Sequence, residues 1–89
     1  MNFYDTVAEY GYAIVKNPEE KNIIDISKSG RIAEIHIIFY TDKKKIMGYI
    51  LPLDVFYDID DMAEVYALYR TMKKDIKIFA DKSKYEVVE

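Results

Sequence analysis

The sequence predicts an α+β fold in a single domain spanning residues 1–89, with an antiparallel sheet of four or five strands packed against two helices. Two segments carry apolar residues at helical spacing, and several others alternate apolar with polar residues. These patterns give the element order helix, three strands, helix, then one or two strands. Because 51% of the 89 residues are hydrophobic, the chain can bury one core, but it is too short for two.

The first predicted helix covers residues 3–16, where apolar residues recur every three or four positions and so share one face. These apolar residues are Phe3, Val7, Tyr10 and Ile14. Asn17-Pro18 ends the predicted helix, because a residue that precedes proline disfavours the helical conformation. Residues 19–22 are then predicted to form a solvated loop.

Residues 23–50 predict a three-stranded antiparallel meander, because apolar and polar residues alternate on both sides of two turn segments. The first is a two-residue turn at Ser29-Gly30, and the second covers residues 41–44. The residue pairs that these turns give are Ile24–Ile35, Asp25–Glu34, Phe39–Ile46 and Ile35–Ile50. One face of the meander is therefore apolar and is predicted to contact the core.

A second helix is predicted over about residues 60–74, after Pro52 closes the third strand. Acidic residues at its start and Lys73-Lys74 at its end complement the helix dipole. Its predicted inner stripe consists of Met62, Val65, Leu68, Tyr69 and Met72. Residues 76–80 alternate and predict a fourth strand, and residues 85–88 predict a short fifth one.

The alternation also predicts which residues point away from the core, on what we call the second sheet face. The candidate binding residues of this face are Ile32, Glu34, His36, Ile38, Tyr40, Lys45, Met47 and Tyr49. A face left in water should be mostly polar, whereas this one combines aliphatic residues, Met and Tyr with a small polar group. Three interpretations stay open: a helix covers the face, a protein partner or second copy binds it, or it binds a small ligand or nucleic acid.

Asp25, Glu34 and His36 come together on the second sheet face and are weak candidate ligands for a metal cation. Oxygen and nitrogen donors on adjacent strands can converge on one ion. A lone His beside carboxylates is more often a hydrogen-bonded or ion-paired group. We therefore predict no metal site and no cofactor.

An acidic stretch precedes the second helix and consists of Asp54, Asp58, Asp60 and Asp61. Carboxylates at a helix start bind its free N–H groups and complement its dipole, which is the favoured interpretation. The alternative is an acidic patch that engages a basic partner.

Composition excludes several classes of function. The chain has no Cys, a formal net charge of -3 and only two Arg, so a thiol nucleophile and a basic nucleic-acid surface are both disfavoured. No nucleophile motif and no glycine-rich phosphate loop occurs, and we therefore predict no enzyme activity. The absence of a secretory pattern and of a long apolar run predicts a cytoplasmic protein with no membrane contact.

The function that remains is a small non-enzymatic protein–protein interaction module that self-associates through Ile32, Ile38, Met47 and Tyr49. An excess of Ile and Lys over Leu and Arg is associated with AT-rich genomes. With the small size, this suits an accessory or inhibitory protein of a phage or other mobile element, acting by binding a host or partner protein. The alternative is a binder of a small ligand, nucleotide or single-stranded nucleic acid that uses Tyr40, Tyr49, His36 and Lys45.

Overall fold

A computed structural model describes residues 3–15, 20–53 and 58–88. Its elements are α1 (Phe3–Glu9), β1 (Ala13–Val15), β2 (Ile23–Ser29), β3 (Ala33–Tyr40), β4 (Lys45–Pro52), α2 (Ile59–Ser83) and β5 (Glu86–Val87). The strands form one sheet in the order β1-β2-β3-β4-β5, antiparallel except for β5, which runs parallel to β4. The α+β class is confirmed. The predicted helix end at Asn17-Pro18 lies outside the described residues.

The first helix is shorter than the sequence pattern predicts. It ends at Glu9, and Gly11 takes a positive φ of 87°, a conformation that an α-helix cannot contain. The chain then forms β1, which pairs with β2 so that Ile14 lies opposite Ile26. The helix prediction is wrong from Tyr10 to Val15, although Tyr10 and Ile14 do pack against the core as their spacing indicated.

The turn between β2 and β3 lies two residues later than predicted. The N–H of Gly30 donates to the carbonyl of Ala33 (2.8 Å), so that Arg31-Ile32 forms the tip in place of Ser29-Gly30. Every β2 residue therefore faces a β3 residue four positions further on than predicted, for example Asp25 opposite Ile38. Because four is an even number, each side chain stays on its predicted face. The predicted register of β3 with β4 is confirmed, with Phe39 opposite Ile46.

The second helix, α2, contains 25 residues and is much longer than predicted. Residues 76–80 are helical, so the predicted fourth strand is wrong; Ile76, Phe79 and Ala80 continue the buried face that Met72 begins. Met62 and Tyr69, predicted to point inward, are 66% and 45% exposed. The predicted fifth strand is present as β5, which pairs with Lys45 and Ile46 of β4.

Both helices pack on the same face of the sheet. The buried residues of this core are Val7, Tyr12, Ile26, Ile35, Ile37, Phe39, Ile46, Met72, Ile76, Phe79 and Ala80. Phe3 of α1 meets the Phe39 ring edge-on at 4.9 Å, and Phe79 of α2 reaches the same ring. Within the described ranges, neither helix covers the second sheet face. No helix there is long and apolar enough to cross a membrane.

Candidate functional site

The second sheet face is formed by alternate residues of β1 to β4, and it carries all but one of the eight candidate binding residues that the sequence assigns to it. Glu34, His36, Ile38 and Tyr40 of β3 lie beside Lys45, Met47 and Tyr49 of β4 in the observed register. Ile32 is the exception, because it is only 5% exposed. It lies in the β2–β3 turn, ahead of the first residue of β3, so the strand alternation does not apply to it. Its carbonyl accepts the N–H of Leu53 (2.8 Å).

A triad of Asp25, His36 and Glu34 lies at the centre of the face. Nδ1 of His36 is 3.1 Å from Asp25 Oδ1, and Nε2 is 2.9 Å from Glu34 Oε1. Both ring nitrogens can donate at once only in the protonated imidazolium. Burial lowers the pKa of His36, but the hydrogen bonds to Glu34 and Asp25 and their charges raise it more, so the net shift is upward. The two carboxylates are therefore joined through His36 and do not face each other across the strands as predicted.

Tyr49 covers one side of this triad. Its ring stacks on the imidazole of His36, with centroids 5.0 Å apart and planes only 6° from parallel. The stack explains why His36 is 7% exposed, while Tyr49 itself stays 39% exposed. Burial and the charges of Asp25 and Glu34 raise the pKa of Tyr49, so its hydroxyl remains a donor at neutral pH. The triad is thus a fixed polar unit with an exposed aromatic edge.

The triad is poorly suited to hold a metal ion. Each imidazole nitrogen already binds a carboxylate, and a protonated imidazole has no free lone pair for a cation. In the part of the chain that the structure describes, no group of three or more His, Asp or Glu residues is arranged to hold a metal. Asp25, Glu34 and His36 are therefore best described as a hydrogen-bonded ion cluster.

Apolar residues border the triad on both sides. Val15 lies opposite Asp25 and Leu51 lies opposite Glu34, and these two side chains are 38% and 39% exposed. Ile38 lies opposite Asp25 and pairs with Met47, and both of these side chains are half-buried. Two further contacts lie at one end of the face. The Tyr40 hydroxyl donates to the Met47 sulfur (3.5 Å), and Lys45 Nζ forms an ion pair with Glu86 (3.3 Å). The result is a charged centre with apolar side chains on its β1 and β4 sides. On β2, Ser27 and Ser29 lie opposite His36 and Glu34, and the Ser29 hydroxyl donates to Glu34 Oε2 (3.3 Å).

The acidic stretch before α2 has structural partners. Asp58 is the N-cap of the helix, and its carboxylate accepts the N–H of Asp61 (2.8 Å). Arg31 at the β2–β3 turn pairs with Asp61 (2.9 Å) and Glu64 (2.7 Å). Asp60 is exposed, and Asp54 lies outside the described residues. Helix capping thus explains the position of Asp58, and the ion pair with Arg31 explains that of Asp61, so neither carboxylate requires a ligand.

The sequence pattern does not predict one buried polar contact, between Tyr12 and Asp75. The hydroxyl of Tyr12 donates to Asp75 Oδ2 of α2 at 2.6 Å, and both residues are 4% exposed. Lys28 Nζ lies 3.9 Å from the same oxygen. The sequence feature that could have indicated this contact is Asp75, which lies at helical spacing between Met72 and Phe79. A charged residue on an apolar helix face requires a buried partner.

Comparison of the chain with protein-family models, with curated proteins and with solved structures found no match. The function is therefore inferred from the geometry of the second sheet face.

Proposed function

We propose that this protein is a non-enzymatic module that binds a partner protein through the second sheet face. The observation that carries this proposal is the arrangement of exposed Val15, Tyr49 and Leu51 around the fixed Asp25–His36–Glu34 triad. Protein interfaces typically combine an apolar contact region with a few oriented polar groups, and Tyr is enriched among their strongest contacts.

The chemistry of the face favours a protein over the other ligand classes. Two carboxylates and one imidazolium leave the triad with a negative charge, which repels phosphate groups at the centre of the face. Only one side of the Tyr49 ring is open for stacking, because His36 covers the other. A net-negative centre with apolar side chains on its β1 and β4 sides is instead complementary to a protein surface that presents a Lys or Arg among apolar side chains.

The experiment compares two glutamate substitutions of similar chemistry. Ile38→Glu places a charge on the second sheet face, whereas Ala63→Glu places one on the exposed side of α2. The wild type and both variants are immobilised and exposed to lysate of the source cells, and the bound proteins are identified by mass spectrometry. Circular dichroism first confirms that both variants fold.

We expect one set of bound proteins to be shared by the wild type and Ala63→Glu and to be lost with Ile38→Glu. The same purified partner should then bind at least tenfold more weakly to Ile38→Glu. Identical binding by all three folded proteins would show that the second sheet face makes no contact and would overturn the proposal.

A further inference from the structure

A second apolar stripe runs along α2, apart from the one that packs on the sheet. We call it the outer stripe, and it consists of Ile59, Met62, Tyr66 and Tyr69. These residues alternate at spacings of three and four, as the contact positions of paired helices do. Their side chains are 80%, 66%, 62% and 45% exposed. Single apolar residues are normal on a protein surface, whereas a contiguous patch of large ones marks an interaction site.

The position of the outer stripe around the helix separates it from the core. At about 100° per residue, its centre lies about 120° around α2 from the line of Leu68, Met72 and Phe79, which packs toward the sheet. The stripe therefore faces sideways, where a second helix can lie alongside α2. Because α2 packs on the core face of the sheet, the outer stripe and the second sheet face are separate surfaces.

The charges that accompany the outer stripe are basic. Ala63, Arg70 and Lys77 hold the flanking position next to the contact residues, and charges at this position decide which helices pair. Lys73 continues the stripe itself, with Nζ 5.9 Å from the centre of the Tyr69 ring. Among the described residues, none of these three cations forms an ion pair.

The acidic residues of the same part of α2 have other partners. Between residues 62 and 80 the acidic residues are Glu64 and Asp75. Glu64 pairs with Arg31 at the β2–β3 turn, and Asp75 accepts the hydroxyl of Tyr12. An occupant of the outer stripe therefore meets a local positive charge, although the whole chain has a formal net charge of -3.

We propose that the outer stripe binds an amphipathic helix of another protein whose flanking residues are acidic. Apolar side chains of that helix pack against Met62, Tyr66 and Tyr69, as an amphipathic helix packs its apolar face on a complementary surface. Its Glu or Asp side chains pair with the cations at Arg70 and Lys73, so the charges select an acidic partner.

A second copy of α2 does not supply the acidic flank. In an antiparallel pair the same flanks of the two helices meet, so Arg70 and Lys77 would face a flank that is also basic. In a parallel pair, Arg70 would face Val65 and Lys77 would face Met72. Neither arrangement neutralises the cations, and charge complementarity therefore favours a foreign acidic helix over self-association.

The experiment measures peptide binding by fluorescence anisotropy. The probe is a labelled synthetic helix of about three heptads with Leu at the contact positions and Glu at the flanking positions. A comparison peptide carries Lys in place of every Glu. Flanking glutamates keep the probe from pairing with itself. Because the chain is acidic overall, long-range attraction favours the comparison peptide, and only a local basic site favours the probe.

Four variants test the apolar and the charged part of the site separately. Tyr66→Ser removes an apolar side chain of the outer stripe, and Val88→Ser is its control at another exposed apolar position. Arg70→Glu reverses a flanking charge, and Lys21→Glu makes the same change in net charge at an exposed position outside α2. Circular dichroism first confirms that all four variants fold. Light scattering gives the mass of the wild type and of Tyr66→Ser.

We expect the acidic probe to bind the wild type at least tenfold more tightly than the basic peptide. Tyr66→Ser should weaken binding of the probe by about tenfold and Arg70→Glu by about fivefold, while both controls stay within about twofold of the wild type. Absence of probe binding, equal binding of the two peptides, or equal losses in variants and controls would each refute the proposal.

A wild-type dimer that Tyr66→Ser dissociates would also refute it, because a second copy would then occupy the outer stripe. None of these measurements involves the second sheet face, so the proposed function can hold or fail independently of this one.

Discussion

Replacing Tyr12 by phenylalanine tests how α2 is held to the sheet. Among the described residues, the hydroxyl of Tyr12 is the closest donor to the buried carboxylate of Asp75, at 2.6 Å, whereas Lys28 Nζ lies 3.9 Å away. Tyr12→Phe removes this donor and keeps the ring, which packs edge-on against Phe79 at 5.6 Å. The change therefore isolates the hydrogen bond from the packing.

The magnitude follows from the burial of the pair. A hydrogen bond to a charged group contributes about 1.5–3 kcal/mol, and a buried carboxylate that loses its donor is left with its desolvation cost. We expect the free energy of unfolding to fall by about 2 kcal/mol, which lowers the Tm by roughly 8–16 °C in a domain of this size. Burial and the contact with Asp75 raise the pKa of Tyr12, so the donor is present throughout the neutral range.

Urea denaturation followed by circular dichroism measures this change. Tyr10→Phe is the matched control, because Tyr10 also packs on Phe79 but its hydroxyl makes no hydrogen bond within the described residues. We expect the control to change the free energy of unfolding by less than about 0.5 kcal/mol. If the two variants unfold with equal free energies, the Asp75 carboxylate does not depend on Tyr12, and the reasoning is refuted.

Three further predictions follow from the sheet and the helix start. The pKa of His36 is raised on folding, so its charge stabilises the protein fully below about pH 6.5 and progressively less as pH rises through the folded pKa. Urea titrations at a series of pH values should show the free energy of unfolding falling across this range. The variant His36→Asn should lack this fall. Asp58→Ala should lower the free energy of unfolding by about 1 kcal/mol through loss of the N-cap, and Asp60→Ala by half of that or less. Gly48→Ala should lower it by about 1–3 kcal/mol in thermal scans, because the added Cβ would lie 2.9 Å from the His36 carbonyl and 2.8 Å from the Ile76 side chain.

The faces of the sheet could be predicted from the sequence, but the pairing of β2 with β3 could not. Alternation assigns each strand residue to one face, and an error of four positions leaves that assignment unchanged. Alternation therefore places Asp25, Glu34 and His36 on one surface even though the predicted pair Asp25–Glu34 is wrong. The position of the turn depends on Gly30, whose N–H closes the hairpin onto Ala33, and this bond is not visible in a hydrophobic pattern.

The error at α2 arises because one segment satisfies two periods. Residues 76–80 alternate like a strand, yet Ile76 and Phe79 also continue the helical spacing of Met72. Periodicity alone cannot decide a short apolar run of this kind. Contacts distant in sequence decide it here, since Asp75 reaches Tyr12 across 63 positions. The error at α1 has another cause: the helical spacing of apolar residues continues to Ile14, but Gly11 takes a positive φ that an α-helix cannot contain.

The length of α2 also explains why, among the described residues, β5 pairs with only the first two residues of β4. A strand at residues 76–80 would have offered five residues to pair with a neighbour, whereas the same residues in a helix bond only within the helix. After Lys84 ends the helix in a left-handed conformation, the chain contributes only Glu86–Val87 to the sheet. These two residues pair with Lys45 and Ile46 at the start of β4, so that in the described chain Gly48 and Ile50 pair with β3 alone. The extension of α2 thus completes the core over Gly48, where the Ile76 and Met72 side chains pack, and at the same time removes residues 76–80 from the sheet.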